Sequence, residues 1–167
     1  MKPKRSLGQN FLTDRNIAHK IVDAGDVHAD DTILEIGPGK GVLTEWLLAL
    51  AGKVIAIEKD DALFKALQIT YGDAVQEGRL ELIHADILDF ELENGVRHRL
   101  RTAPLGSSRQ TVPDPVFSYK LIANIPYNIT GAILEKFLSS SLQPEQMVLL
   151  VQKEVAERIV ARDQKES

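Results

Sequence analysis

Thr32-Ile33-Leu34-Glu35-Ile36-Gly37-Pro38-Gly39-Lys40-Gly41 decides the fold. Its first five residues read as a short buried strand rich in β-branched side chains, and a helical pattern over 42–51 follows the glycines. Strand, glycine loop and helix in that order make an entrance for a nucleotide-bearing cofactor. Glycines let the backbone turn sharply and approach a ligand without interference from Cβ, and a helix N-terminus leaves N–H groups free. The spacing narrows the choice. A dinucleotide fingerprint G-x-G-x-x-G fails, because the third glycine is Gly41 and Val42 stands where glycine is required. A phosphate loop G-x-x-x-x-G-K-[ST] cannot be read anywhere in the chain.

Outward from this loop, three more strand ends carry polar residues. Residues 53–57 are an apolar run ending in Glu58, 21 positions after Gly37 and one βαβ step further along a sheet. An acid at that place can accept from both hydroxyls of a ribose. Residues 80–84 form a third strand candidate that ends in Ala85-Asp86-Ile87, where Asp86 can accept from the amine of adenine and Ile87 can cover the ring. Either acid alone is ordinarily a solvated strand end. Two of them at the carboxyl ends of consecutive parallel strands, beside a glycine loop, are better explained by one shared ligand, because open α/β sheets bind ligands at that edge. The fourth end is Asn124-Ile125-Pro126-Tyr127, after the run Lys120-Leu121-Ile122-Ala123. Asn124 can offer its side-chain oxygen to an N–H donor, Pro126 turns neighbouring carbonyls away from ladder pairing, and Tyr127 can stack on the ring that carries the amine.

Glu35-x-Gly37-x-Gly39-x-Gly41 looks like the first motif of class I S-adenosylmethionine (SAM) dependent methyltransferases, and Asn124-x-Pro126-Tyr127 resembles the motif of amino-methyltransferases acting on adenine N6. Four stretches together are similar to the KsgA family of ribosomal RNA adenine dimethyltransferases: Lys4 to Leu12, Glu35 to Gly39, Ala123 to Thr130 and Gln152 to Ala156. They stand in family order and cover nearly the whole chain. The resemblance implies that Asn10 and Leu12 help enclose SAM, Gly37 and Gly39 meet its methionine end, Glu58 holds the ribose and Asp86 with Ile87 the adenine. It also implies that Asn124 lies beside the methyl group and that Asn124, Pro126 and Tyr127 form the catalytic set. The substrate it implies is small-subunit ribosomal RNA or its assembly precursor. Leu7-Gly8-Gln9-Asn10-Phe11-Leu12 looks more like the ribosome-modifying branch than the macrolide-resistance methylases of 23S RNA.

The amino lone pair of adenine is conjugated into its ring and is a poor nucleophile. The side-chain oxygen of Asn124 and the carbonyl of Ile125 or Pro126 can accept its two hydrogens and draw the nitrogen toward tetrahedral geometry, a positioning role that asks for no strong base. DNA adenine and protein glutamine methyltransferases share related chemistry, but the Gln9-Asn10-Phe11-Leu12 segment argues against both. A non-catalytic SAM-responsive RNA-binding module is the rival from another class.

The pattern predicts an α/β fold with a doubly wound, mainly parallel sheet. Helices are expected from the cap Asp14 to Ala24 (Ile17, Ile21 and Val22 inward, Gly25 as stop), over 61–71 with a break at Gly72, and from the cap Thr130 to about Leu138. The first of these is expected to cover the cofactor edge, and residues 147–151 make the fifth strand. With 167 residues and 44% hydrophobic content, the chain suits one SAM-binding core burying roughly 70% of its unfolded surface. Residues 92–118, with Arg97, Arg99, Arg101 and Arg109, read as a flexible insertion. Chain end Ser167 falls short of the two strands and small helical domain the family adds, so a core truncated after the fifth strand is expected, and with it reduced activity. Cysteine is absent, no apolar run approaches the ~20 residues of a membrane span, and the four histidines show no ligand spacing. The expectation is a cytoplasmic monomer without metal. A net charge of −4 does not announce an RNA binder, but basic residues cluster at Lys2, Lys4 and Arg5, in the insertion, and at Lys153, Arg158 and Arg162, the last group reading as a solubilising face.

Overall fold

A computed structural model describes residues 12–92 and 118–161. In chain order the elements are α1 (Arg15–Ala24), β1 (Thr32–Ile36), α2 (Val42–Leu50), β2 (Lys53–Glu58), α3 (Asp61–Thr70), α4 (Gly72–Gln76), β3 (Leu80–His84), β4 (Lys120–Asn124), a 3₁₀ turn (Tyr127–Ile129), α5 (Thr130–Leu138), β5 (Gln146–Leu150) and α6 (Lys153–Val160). Five strands pair in the order β3-β2-β1-β4-β5, all parallel. The chain builds outward from β1 to β3 on one side, then returns to add β4 and β5 on the other. The order therefore reverses between β1 and β4, and it is at such a reversal that the carboxyl ends of an α/β sheet leave a crevice.

The strands are apolar on both faces because helices cover both. Alternation sorts the side chains. Leu34, Ile36, Ile55, Ile57, Leu121 and Ala123 point to one face and pack with Ile133 and Phe137 of α5. Ile33, Val54, Ala56 and Ile122 point to the other and pack with Ile21 and Val22 of α1 and Leu43 and Leu47 of α2. Strand β5 closes one edge, half-buried along its whole length, and α6 beyond it buries no residue.

Several helix ends differ from expectation. Asp14 caps α1 as expected, its carboxylate accepting from Asn16 and Ile17 N–H. Gly25 stops α1 as its C-cap, at φ −81°, a conformation open to any residue. A Cβ there would come within 2.6 Å of Ile122 Cδ1, which would have to shift. Ile17 is 38% exposed and does not join the inward face of α1. The helix lies on the sheet face and only its lead-in at Leu12 reaches the cofactor edge. The break after α3 falls at Tyr71 (φ −115°, ψ 25°), and Gly72 opens α4 instead of ending a helix. Thr130 is the first residue of α5 and not its cap: the 3₁₀ turn leads in, and the Thr130 hydroxyl donates back to the Pro126 carbonyl at 3.4 Å.

Of the insertion 92–118, the described ends are buried Leu92 and half-buried Ser118, and the four arginines lie outside the described residues, as do Lys2, Lys4, Arg5 and Arg162. Tyr119 fastens the return into β4, donating its hydroxyl to the Leu142 carbonyl at 2.8 Å. In α6, Lys153 pairs with Glu157 one turn on (3.5 Å) and is 87% exposed, as a solvated face requires.

At the opposite end of β4, Lys120 Nζ donates to Asp31 (2.7 Å) and to the Asp26 carbonyl (2.6 Å), tying the α1–β1 loop to the sheet centre. Both side chains are mostly buried. Burial alone raises the Asp31 carboxyl, but Lys120, the His28 N–H and the nearby charges outweigh it and hold it below the usual aspartate range. A depressed carboxylate stabilises the fold above its unfolded pKa and loses that contribution as pH falls through the folded one. Lys120→Met should cost about 1.5 to 3 kcal/mol at pH 7 and progressively less below about pH 4. Urea unfolding of both proteins at pH 7 and pH 3 checks this, and an equal cost at both pH values would rule the pair out as the cause.

Candidate active site

The glycine loop leaves β1 held by a backbone hydrogen bond at each end. Gly37 N–H donates to the Ile57 carbonyl at 2.9 Å, and Gly41 N–H closes a turn on the Pro38 carbonyl at 2.9 Å. Gly37 has φ +63°, and a Cβ there would meet nothing within 4 Å. Its glycine serves the backbone conformation and leaves that side open. Gly41, at φ +83°, is packed: a Cβ would sit 2.7 Å from the Tyr71 ring, whose hydroxyl donates to the Gly41 carbonyl at 2.7 Å. Burial first, then the charges of Glu35 and Glu45, push the Tyr71 phenol up to about 12, so it stays a donor.

One cavity lies at the reversal point. Gly37, Gly39, Glu58, Asp86, Ile87 and Asn124 all line it, drawn from the ends of β1, β2, β3 and β4, with Leu12 and Pro126 beside them. Asn10 lies outside the described residues. Tyr127 does not line this cavity. It is 51% exposed and lines a second, adjacent one with Ile17, Ile125, Leu150 and Gln152. Leu12 and Asn124 border both cavities.

The acids are held in different ways. Glu58 is 5% exposed; one carboxylate oxygen accepts from Gly39 N–H (3.1 Å) and the other from Asp60 N–H (2.8 Å). Burial nevertheless raises its carboxyl above the ordinary range, and the Asp60 charge adds to the rise. Asp86 accepts from Leu88 N–H through Oδ1 (3.0 Å) and from Lys59 Nζ through Oδ2. At Pro126 the carbonyl already accepts from Ile129 N–H (3.2 Å) and from Thr130.

Two further residues line this cavity: Glu35, which heads the glycine motif, and Lys59, which the sequence does not single out. Glu35, 1% exposed, accepts from the Thr44 hydroxyl at 2.8 Å. An acid inside an otherwise apolar strand is its signal in the sequence. Lys59, next to Glu58, meets Asp86 only through the register of β2 with β3, which pairs Glu58 with His84. Among the described residues no group of three His, Asp or Glu side chains could hold a metal ion, and no helix is long and apolar enough to cross a membrane.

The sequence model of the family described as "Ribosomal RNA adenine dimethylase" matches residues 1–167. The chain belongs to that family. Among curated members, Ribosomal RNA small subunit methyltransferase A of Dehalococcoides mccartyi is 44% identical over 162 residues, covering 97% of this chain and 49% of that protein. The protein of the same name from Moorella thermoacetica is 42% identical over 160 residues, covering 96% and 51%. The chain thus spans about half the length of the curated relatives it matches. Of solved structures, a dimethyladenosine transferase from Plasmodium falciparum superposes with TM-score 0.66 at 30% identity, covering 92% of this chain and 47% of that one. The 23S rRNA methyltransferase ErmE gives TM-score 0.66 at 28% identity, covering 89% and 50%. The fold is that of the class I SAM-dependent methyltransferases.

Proposed function

We propose that this chain is the cofactor-binding and catalytic core of a SAM-dependent dimethyltransferase acting on adenine N6 in small-subunit ribosomal RNA. The observation that carries the reading is the convergence of four consecutive strand ends, with a ribose-type acid, an adenine-type acid and Asn124, on one cavity at the sheet reversal. The small-subunit assignment rests on the curated relatives, since the structural neighbours include a 23S enzyme. The same reading carries ribosomal RNA as partner, the cytoplasm as location and a monomer as the working form.

The residues fit SAM. Gly37 presents open backbone for its methionine end, Glu58 keeps lone pairs for two ribose hydroxyls, and Asp86 with Ile87 offers an acceptor and an apolar cover for adenine. When bound, SAM supplies an electrophilic methyl carbon. The chain's own part is to hold the target amine. Asn124 accepts one hydrogen through its side-chain oxygen. The second falls to the Ile125 carbonyl, because Pro126 is engaged with Ile129 and Thr130. Tyr127, half exposed in the neighbouring cavity, suits stacking on an extruded base, worth about 1 to 3 kcal/mol in single-strand binders.

Calorimetric titration is the direct test: SAM should bind and NAD should not. Glu58→Ala should weaken SAM by about 1.5 to 3 kcal/mol, the value of a hydrogen bond to a charged group. Because Glu58 also holds Gly39, Glu58→Gln, which keeps one acceptor for that N–H, should fall between. Unchanged SAM affinity in folded Glu58→Ala would remove the ribose assignment. Transfer of methyl groups to ribosomal RNA by a chain extended through the rest of the relatives' length then tests the activity.

A further inference from the structure

We propose that Lys59 sets the affinity of the adenine subsite: its ammonium holds Asp86 and competes for that carboxylate with the amine of a docking 6-aminopurine. The inference rests on the reading above that Asp86 accepts from the adenine amine. Lys59 is fixed at its backbone and exposed along its side chain. Its carbonyl accepts from His84 Nε2 at 3.2 Å, and the His84 ring is stacked on Phe64, centroids 4.9 Å apart and planes 20° from parallel. The ammonium end reaches across the strand ends to Asp86 Oδ2, with the Lys59 side chain 57% and the Asp86 side chain 20% exposed. Both residues line the cavity.

Oδ1 of Asp86 accepts from Leu88 N–H, part of the local turn, and Oδ2 from the Lys59 ammonium. An incoming amine and the Lys59 ammonium are two donors drawing on the charge of one carboxylate, and neither can accept from the other. The pair is real electrostatically. Burial pushes Asp86 up, yet the Lys59 hydrogen bond, the Leu88 N–H and the charges of Lys59 and Lys136 together hold it below its usual range, while Asp86 raises Lys59. Lys136 does not compete in the same way, because its ammonium is anchored on the Leu88 carbonyl at 3.0 Å. An exposed lysine that swings away loses only a rim ion pair, so the effect on affinity is modest and of defined sign.

The test is calorimetric titration of the full chain with SAM and with S-adenosylhomocysteine, which has the same adenine but no sulfonium charge. Lys59→Met keeps the aliphatic stem and removes the ammonium. It should tighten both ligands alike, by about two- to fivefold, and this gain should vanish in the Lys59→Met, Asp86→Ala double variant. Equal or weaker binding by Lys59→Met, with Asp86→Ala still impaired, would overturn the inference and leave the adenine assignment standing. A gain for SAM alone would also overturn it, pointing to through-space repulsion of the sulfonium. Wild-type affinity in Asp86→Ala would instead remove the adenine assignment itself. Should Asp86→Ala fail to fold for want of the Leu88 contact, Asp86→Asn keeps that acceptor without the charge, and in its background the Lys59→Met gain should likewise be lost.

Discussion

Asn124→Ala, made in a chain extended to the relatives' length, should lower the single-turnover rate of methyl transfer by about 10²- to 10³-fold, the usual loss when one preorganised hydrogen-bonding group at the reacting centre is removed. SAM affinity should change by less than about threefold, because an interaction realised chiefly in the transition state is lost from the rate and not from ground-state binding. The geometry behind this is the position of Asn124 on the border of the two cavities, with the proposed cofactor residues on one side and Tyr127 on the other. Tyr127→Ala should weaken RNA binding together with rate, and Tyr127→Phe should be mild, since a stack needs the ring and not the hydroxyl. Quench-flow with labelled SAM on the RNA substrate, beside calorimetry, separates the two quantities. Wild-type single-turnover rates in Asn124→Ala would mean that the amine is held by some other group.

How legible each feature is in the sequence follows from how local its signal is. The strand runs at 32–36 and 53–58 are nearly continuous because both sheet faces are covered, and a run of apolar β-branched residues between breakers has few other readings. Asp14 was legible because a cap acts within three residues. The cavity followed from topology: acids at successive strand ends must converge if the strands are parallel neighbours. Features that failed depend on contacts far along the chain. Ile17 faces a second cavity built partly from β5, and Lys59 finds Asp86 only once β2 and β3 are in register. At Pro126, sequence left two carbonyls open, and only the 3₁₀ turn before α5 shows that one of them is engaged.

Glu35→Gln should change the pH dependence of stability more than any other single substitution in the described core. Glu35 is buried to 1% exposure beneath the glycine loop, where burial first, and then the neighbouring Glu58 carboxylate, push its pKa up to about 8 against the pull of the Thr44 hydroxyl. The sign is set by which state holds the proton. Between the ordinary glutamate value of 4.5 and about 8 the folded chain binds a proton that the unfolded chain has released, so stability falls as pH rises through that window and levels off above it. Each pKa unit corresponds to about 1.4 kcal/mol, which puts the full cost on the order of 5 kcal/mol at alkaline pH. Glutamine is nearly isosteric, keeps an oxygen for the Thr44 hydroxyl and has no proton to lose. The variant should therefore match the wild type near pH 5 and exceed it by several kcal/mol near pH 9. Urea unfolding at pH 5, 7 and 9 measures the divergence. Parallel curves for the two proteins would assign the alkaline loss to Glu58, whose carboxyl is raised in the same direction by its own burial.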